Sequence, residues 1–279
     1  MFKNPKVKRF MRRKVSVVAL IVLLIFLGIA LIGPFLCSHD PLAQDLANKY
    51  SGISAEHWLG TDNLGRDTFT RMVYGARISL TIAFCGVLSG SAIGIMLGVC
   101  AGYFGGKIDS IISRILDVML AFPGLLLAIT IVAILGNGTI NTIMAIGIFC
   151  IPGIARIVRG TVISLKGSEY VQAARVMGES DFKIIIRHVL PNSISLIIVN
   201  ITLDLGTSIL TASSLSFLGL GVQAPNPEWG AMLSQMREVI RSYPIGVFVP
   251  GLAITFVVLS FSLVGDGLRD ALDPKLKNS

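Results

Sequence analysis

An all-α polytopic membrane protein with six membrane-crossing helices is the fold class this sequence predicts, and three observations predict it. Hydrophobic residues make up 53% of the chain and charged residues 14%, with a mean hydropathy of +0.77, a balance outside that of soluble globular domains. The apolar residues gather in runs near the ~20 residues that cross a bilayer as a helix. Lysine and arginine gather in alternate connections between those runs. The net charge of +8 is therefore a matter of position. No basic stripe interleaved with aromatics, of the kind single-stranded nucleic acid requires, is present, and no nucleic-acid partner is expected.

The first run, 15–36, is uncharged and has no polar stripe beyond Ser16. It is expected at the periphery of the bundle as an anchor; a central position for an all-apolar helix is the alternative. The second run, 78–103, and the third, 115–135, are continuous. The fourth, 140–163, is interrupted by Pro152, Arg156 and Arg159; it still counts as a span, because proline is tolerated in membrane helices whose neighbours satisfy the freed carbonyl. The fifth, 194–218, and the sixth, 245–264, complete the set.

Orientation follows from the positive-inside rule. With the N-terminus inside, cytoplasmic segments hold Lys3, Lys6, Lys8, Arg9, Arg12, Arg13, Lys14, Lys107, Arg114, Arg156, Arg159, Lys166, Arg175, Lys183, Arg187, Arg269, Lys275 and Lys277. These are eighteen cations against six outside: Lys49, Arg66, Arg71, Arg77, Arg237 and Arg241. Both termini are predicted in the cytoplasm. Residues 1–77 divide off as a tail, first span and outer loop, and 78–279 as a five-helix core with a cytoplasmic hairpin at 164–191. Two long outer connections, 38–77 and 219–244, are rich in turn residues and read as ordered caps. Trp58 and Trp229 fall in them, where aromatic-belt residues sit at headgroup level.

The hairpin is the most informative stretch. Tyr170, Val171, Ala174 and Met177 recur at helical spacing, and so do Phe182, Ile185, Ile186, Val189 and Leu190. Gly178 between them suits a left-handed helix end, Ser180 or Asp181 can cap the second arm, and Pro191 suits the first turn of the fifth span. An ordinary helix-turn-helix connection lying on the membrane surface would carry the same pattern.

The fifth span has a polar stripe. At about 100° per residue, Asn200, Asp204, Thr207, Thr211 and Ser214 fall within roughly an 80° arc, while Ile198, Ile201, Leu205, Ile209 and Ala212 take other faces. Asp204 lies near the midplane, where a carboxylate is expensive unless it faces water or a partner. The stripe reads either as lining for a substrate pathway or as a polar contact with a second helical subunit.

Catalytic and metal signatures are missing. The one Gly-Lys pair, Gly106-Lys107, has Ala101 and Ile108 where G-x-x-x-x-G-K-S/T needs glycine and a hydroxyl, so no P-loop is expected. Cys37, Cys85, Cys100 and Cys150 form no C-x-x-C pair and read as small hydrophobes. Leu36 before Cys37 argues against a lipoprotein cleavage site. His39, His57 and His188 are scattered. An enzyme is not expected. An ion-gradient-driven secondary transporter remains the competing class, kept open by Asp204, although no internal repeat of the kind such carriers show is visible.

The segment EYVQAARVMG at 169–178, followed by HVLP at 188–191, resembles the EAA motif of ABC-transporter permeases. Gln172-Ala173-Ala174, Gly178 and Leu190-Pro191 stand at the motif's spacings; Gln172 replaces its glutamate and His188 its isoleucine. HWLGTDNLGRD at 57–67, YGARISL at 74–80, GYFGG at 102–106, LAFP at 120–123, LSFLGLG at 215–221 and EWGAM at 228–232 are similar to hallmarks of the oligopeptide, dipeptide and nickel branch. The extra N-terminal span and long first outer loop resemble its "C"-type permeases.

That resemblance implies a type I ABC importer permease fold in a bacterial cytoplasmic membrane. It implies a homologous second permease, two ABC ATPase subunits that carry ATP and magnesium, and an extracytoplasmic solute-binding protein. No cofactor is expected on this chain. Glu169, Gln172, Ala173, Ala174, Arg175, Gly178 and Phe182 would couple to the ATPases, with Ala173 and Ala174 as a small-residue face. Alternating access would carry a peptide, glutathione, nickel or a metal-chelator complex.

Overall fold

Eleven α-helices and no strand describe residues 5–272 in a computed structural model of the chain. Of the cations assigned above to the cytoplasmic side, Lys3, Lys275, Lys277 and the side chain of Lys6 lie outside the described residues. Short α1 (Pro5–Arg12) leads into α2 (Lys14–Leu36). After the first cap loop come α3 (Thr68–Phe104), α4 (Gly106–Ala121), α5 (Gly124–Leu135) and α6 (Thr139–Lys166). The hairpin arms are α7 (Glu169–Val176) and α8 (Asp181–Ile184), and α9 (Leu190–Phe217), α10 (Trp229–Met236) and α11 (Ile245–Leu272) follow. Five helices are individually long and apolar enough to cross a membrane, and six spans result if the bent pair α4–α5 counts as one.

That bend corrects the expected third span. The run 115–135 is not one helix: α4 and α5 meet at 96°. Phe122 (φ −85°, ψ 136°) and Pro123 (φ −55°, ψ 130°) are both extended; a proline ring disfavours the helical region for the residue before it, and here the chain breaks there. Pro152 and Pro250, by contrast, lie within α6 and α11 without ending them.

The second span also starts earlier than its apolar run. Asp67 caps α3, its side chain accepting from Thr70 N at 2.7 Å, so Arg71 and Arg77 are helical rather than loop residues. The fifth span is longer for a different reason. Asp181–Phe217 is one helix of 37 residues. Pro191 has no N–H to donate, and the helix widens into a π turn at Ile185–Val189, where Leu190 N bonds Ile185 O.

The centre of the molecule is the α3–α6 pair. Gly86, Gly90, Gly94, Gly98 and Gly102 recur every four residues on α3 and face α6 throughout. A Cβ on Gly90 would stand 2.2 Å from Gly147 O, and one on Gly98 2.6 Å from Ala155 O. Small residues at this interval let two membrane helices pack backbone to backbone. Around the pair, Leu80, Ile82, Val87, Ile146, Ile209, Leu215 and Phe261 form the main core, and Tyr103, Val162, Val171, Ile184 and Val189 a second core at the hairpin end. The first helix of the membrane set, α2, buries Ser16, Ala19, Leu23 and Ala30 against α11 and α3 and leaves its other faces exposed.

Candidate functional site: the hairpin, the helix that leaves it, and the opposite cap

The chain turns just past α7 at Gly178, whose φ of +83° favours glycine. Glu179 N returns to Ala174 O at 3.1 Å, closing the last turn as a left-handed helix end does. A Cβ on Gly178 would meet nothing within 4 Å, so the turn projects freely. Ser180 makes no side-chain cap to α8; Asp181 bonds elsewhere.

The two alanines do not form one outward face. Ala174 is 8% exposed and packs with Val171, Ile184 and Val189, whereas Ala173 is exposed. Consecutive helical residues point about 100° apart, which here turns Ala174 toward the bundle and Ala173 toward solvent. What projects instead is apolar and large: Val176 is 88%, Met177 84% and Phe182 74% exposed. Glu169 and Gln172 are exposed on the same arm, and Gln172 Nε2 donates to Gly167 O at 3.2 Å.

Polar bonds fix the hairpin to the bundle. Tyr103 Oη donates to Asp181 Oδ1 at 2.6 Å and accepts from Arg175 Nη2 at 3.2 Å. Arg175, exposed along about half of its side chain, is held above its ordinary pKa chiefly by that phenol contact. His188 Nε2 lies 3.0 Å from Glu179 Oε2, tying the glycine turn to the π turn. On the flank, Arg159 grips Asp109 through two bonds of 2.5 and 2.6 Å, and Arg156 meets Asp117 at 2.5 Å, anchoring α4 to α6. The interrupting cations of the fourth span are thus paired.

On α9, the predicted stripe lies outside the core. Thr207 is exposed, and Asn200, Asp204, Thr211 and Ser214 are half-buried, while Leu205, Ile209 and Ala212 turn inward. Each hydroxyl bonds its own helix: Thr207 to Asp204 O, Thr211 to Thr207 O and Ser214 to Leu210 O. Among the described residues, nothing hydrogen-bonds to or ion-pairs with the Asp204 carboxylate. No three His, Cys, Asp or Glu side chains converge as a metal set among the described residues.

The opposite end is built from buried polar groups. Asp62, 4% exposed, accepts from Arg66 Nε at 2.7 Å and from the amides of Leu64 and Arg66, with Arg71 Nε at 3.2 Å. Arg66 continues to Gln235, joining the first cap to α10, and Arg71 of α3 donates to Pro41 O in that cap and to Pro225 O before α10. Tyr243 donates to Leu59 O at 3.0 Å and to Ser51 O at 3.3 Å; burial pushes its phenol up in pKa, so it remains a donor. Glu228 is fully buried, capping α10 at Ala231 N and accepting from Ser79 and Ser213.

The expected headgroup position fails for one tryptophan. Trp58 is 63% exposed, but Trp229 is 0% exposed, bonded to Met72 O and set edge-on to Phe26. Its place beside the small Gly75 of α3 makes it a core residue. Sequence reasoning missed this network and the glycine ladder; the four-residue glycine interval was the available signal for the latter.

A bent, glycine-packed helical bundle with a cap at one end and an apolar-tipped hairpin at the other defines a polytopic membrane permease. The family described as binding-protein-dependent transport system inner membrane component matches residues 94–278, and the N-terminal membrane domain of oligopeptide transport permease C matches residues 7–52. The chain belongs to the binding-protein-dependent ABC permease family, within its peptide branch. It is 51% identical to the dipeptide transport system permease protein DppC of Alkalihalophilus pseudofirmus, over 97% of this chain and 89% of that one. It is 49% identical to the glutathione transport system permease protein GsiD of Pectobacterium atrosepticum, over 97% and 90%.

Among solved structures, the inward-facing MetNI methionine ABC transporter matches with a TM-score of 0.60 at 19% identity, over 73% of this chain and 97% of that one. An amino acid ABC transporter matches at 0.55 and 16%, over 71% and 92%. These likenesses establish the type I importer permease fold. The family is one of multi-pass bacterial inner-membrane transport components, not enzymes, which work with a binding protein and an ATPase. An ion-gradient carrier is thereby set aside.

Proposed function

We propose that this chain is one of two homologous permease subunits in an importer of dipeptides or a related small peptide such as glutathione. The observation that carries the reading is the exposed apolar tip of the hairpin, Val176, Met177 and Phe182 around Gly178. Side chains of this size left in water mark a surface that a partner covers. An ATPase subunit is that partner, and Glu169, Gln172, Ala173 and Arg175 flank the contact. ATP and magnesium are held by two separate ATPase subunits, and this chain binds no cofactor.

The charge asymmetry supports a cytoplasmic hairpin with both termini on the same side. The cap then faces the binding protein. Its tightly bonded frame suits a fixed docking platform, while the α9 stripe from Asn200 to Ser214 lines the path or meets the second permease. The relatives named for dipeptide and glutathione transport favour those substrates over nickel or a metal chelate.

Reconstitution with the second permease, both ATPases and the binding protein tests this. Radiolabelled dipeptide, glutathione and nickel should be offered separately, and ATP-dependent accumulation of the dipeptide or glutathione is expected. Accumulation that follows an imposed ion gradient without ATP would refute it.

A further inference from the structure

Tyr103, the penultimate residue of α3, is 2% exposed although it lies at the end of its helix. Its phenol bonds Asp181, the first residue of the 37-residue helix that becomes α9, and Arg175 of α7. Lys166, the last residue of α6, donates to Tyr103 O at 2.5 Å. The Lys166 ammonium and Arg175 guanidinium lie 5.6 and 5.7 Å from the ring centre. One side chain thus meets the ends of α6 and α7 and the start of α8.

Resting on the proposed function, we infer that Tyr103 is the positioning residue that makes the hairpin and the α3–α6 pair move as one body. The Glu179–His188 and Gln172–Gly167 bonds close within the hairpin itself; the other contacts that seat it on the bundle are apolar, through Val171, Ala174, Ile184 and Val189, and hydrophobic burial has no direction. A packed hairpin can slip along such a surface while remaining buried. A hydrogen bond to a carboxylate fixes distance and angle and is stronger than a neutral one. Beyond Tyr103 the glycine ladder locks α3 to α6 along their shared length, so displacement of Asp181 or Arg175 is delivered to the central pair rather than lost at the surface.

The test is Tyr103→Phe, which keeps the ring and removes the hydroxyl, in the assembled importer in liposomes. ATP hydrolysis and co-purification of the ATPases should persist, while substrate carried per ATP falls about tenfold, the scale of one charge-assisted bond. Asp181→Ala should reproduce the loss, and the double variant should be no worse than either. A purely structural role would instead lower the amount of assembled complex and leave its transport per ATP intact. Amide hydrogen exchange supplies a readout independent of substrate: residues 169–184 of the complex should exchange about tenfold faster in Tyr103→Phe, with 68–90 unchanged. Wild-type coupling in Tyr103→Phe, additive losses in the double variant, or unchanged exchange at 169–184 would each overturn the inference. If the wild-type importer carried neither dipeptide nor glutathione, the proposed function would fail while the exchange experiment still judged Tyr103.

Discussion

The two ends of this bundle solve opposite problems with opposite materials. At the cap, charges are inside: Asp62, Arg66, Arg71 and Glu228 are each under 5% exposed and bonded across three segments of chain. At the hairpin, apolar side chains are outside, with Val176 and Met177 above 80% exposed. Buried polar groups hold one geometry, because any displacement leaves a desolvated group unpaired. Exposed apolar groups hold none until something covers them. Most of the cap's buried charges find partners within this chain, whereas the hairpin tip leaves its apolar side chains uncovered.

The largest effect that could break this contrast is at Asp62. Asp62→Ala leaves Arg66 and Arg71 buried without their shared carboxylate, a loss of about 3–5 kcal/mol. Thermal unfolding in detergent should fall steeply, and the 38–67 loop should become sensitive to protease. A midpoint close to wild type would mean that the cap does not depend on its buried charges.

Gly178→Asp probes the other end and should spare the fold. The φ of +83° costs an aspartate about 1–2 kcal/mol, and its Cβ meets nothing. Docking would bury the new charge beside Met177 and Phe182, which is unfavourable without a counter-ion. Insertion should persist and unfolding should shift only by that local strain, while uptake and ATPase co-purification collapse. Normal uptake would remove the lever role from this turn.

These two sites also differ in how far sequence could reveal them. The hairpin was legible because its information is local: helical spacing, one glycine and one proline lie within 23 residues, 169–191. The spans were legible from hydropathy, since lipid contact demands apolar composition whatever the tertiary fold. The cap was not. Asp62 and Glu228 sit in turn-rich segments that read only as ordered caps, and their partners are distant in sequence or set by tertiary packing: Arg71 on α3 for Asp62, and Ser79 on α3 and Ser213 on α9 for Glu228. Trp229 is the same case, an aromatic at a span boundary that tertiary packing draws inward. The bend at Phe122–Pro123 was local and available, but continuous hydropathy on both sides masked it.

A smaller effect sharpens the contrast within the hairpin. Met177→Ser removes an 84% exposed side chain, so stability of the isolated chain should not change. If a partner covers it, full burial contributes about 1.5–3 kcal/mol, and ATPase affinity measured by titration should weaken at least tenfold. Val171→Ser, on the inward face at 1% exposure, should do the reverse and destabilise the chain. Equal loss of stability in both would show that the tip packs within this chain.

Between the two ends lies Asp204, which belongs to neither pattern. It stands near the middle of the 28 residues of α9, half-buried, and its neighbours Thr207 and Thr211 spend their hydroxyls on their own helix. A carboxylate at that depth is unfavourable by about 2.5–3.5 kcal/mol unless water or another group meets it. Within the cap logic it would have a partner in this chain, and it has none among the described residues. In this it resembles the hairpin tip, and the proposed path or second permease would supply what this chain does not. Asp204→Asn keeps the shape and removes the charge. If the stripe lines the path, uptake of a dipeptide with an extra cationic side chain should fall several-fold relative to a neutral dipeptide, with assembly intact. If the stripe meets the second permease, both substrates should fall together and co-purification of that subunit should drop. Unchanged uptake of both substrates with unchanged assembly would show that neither a path nor an interface uses the charge, and the stripe would then face lipid.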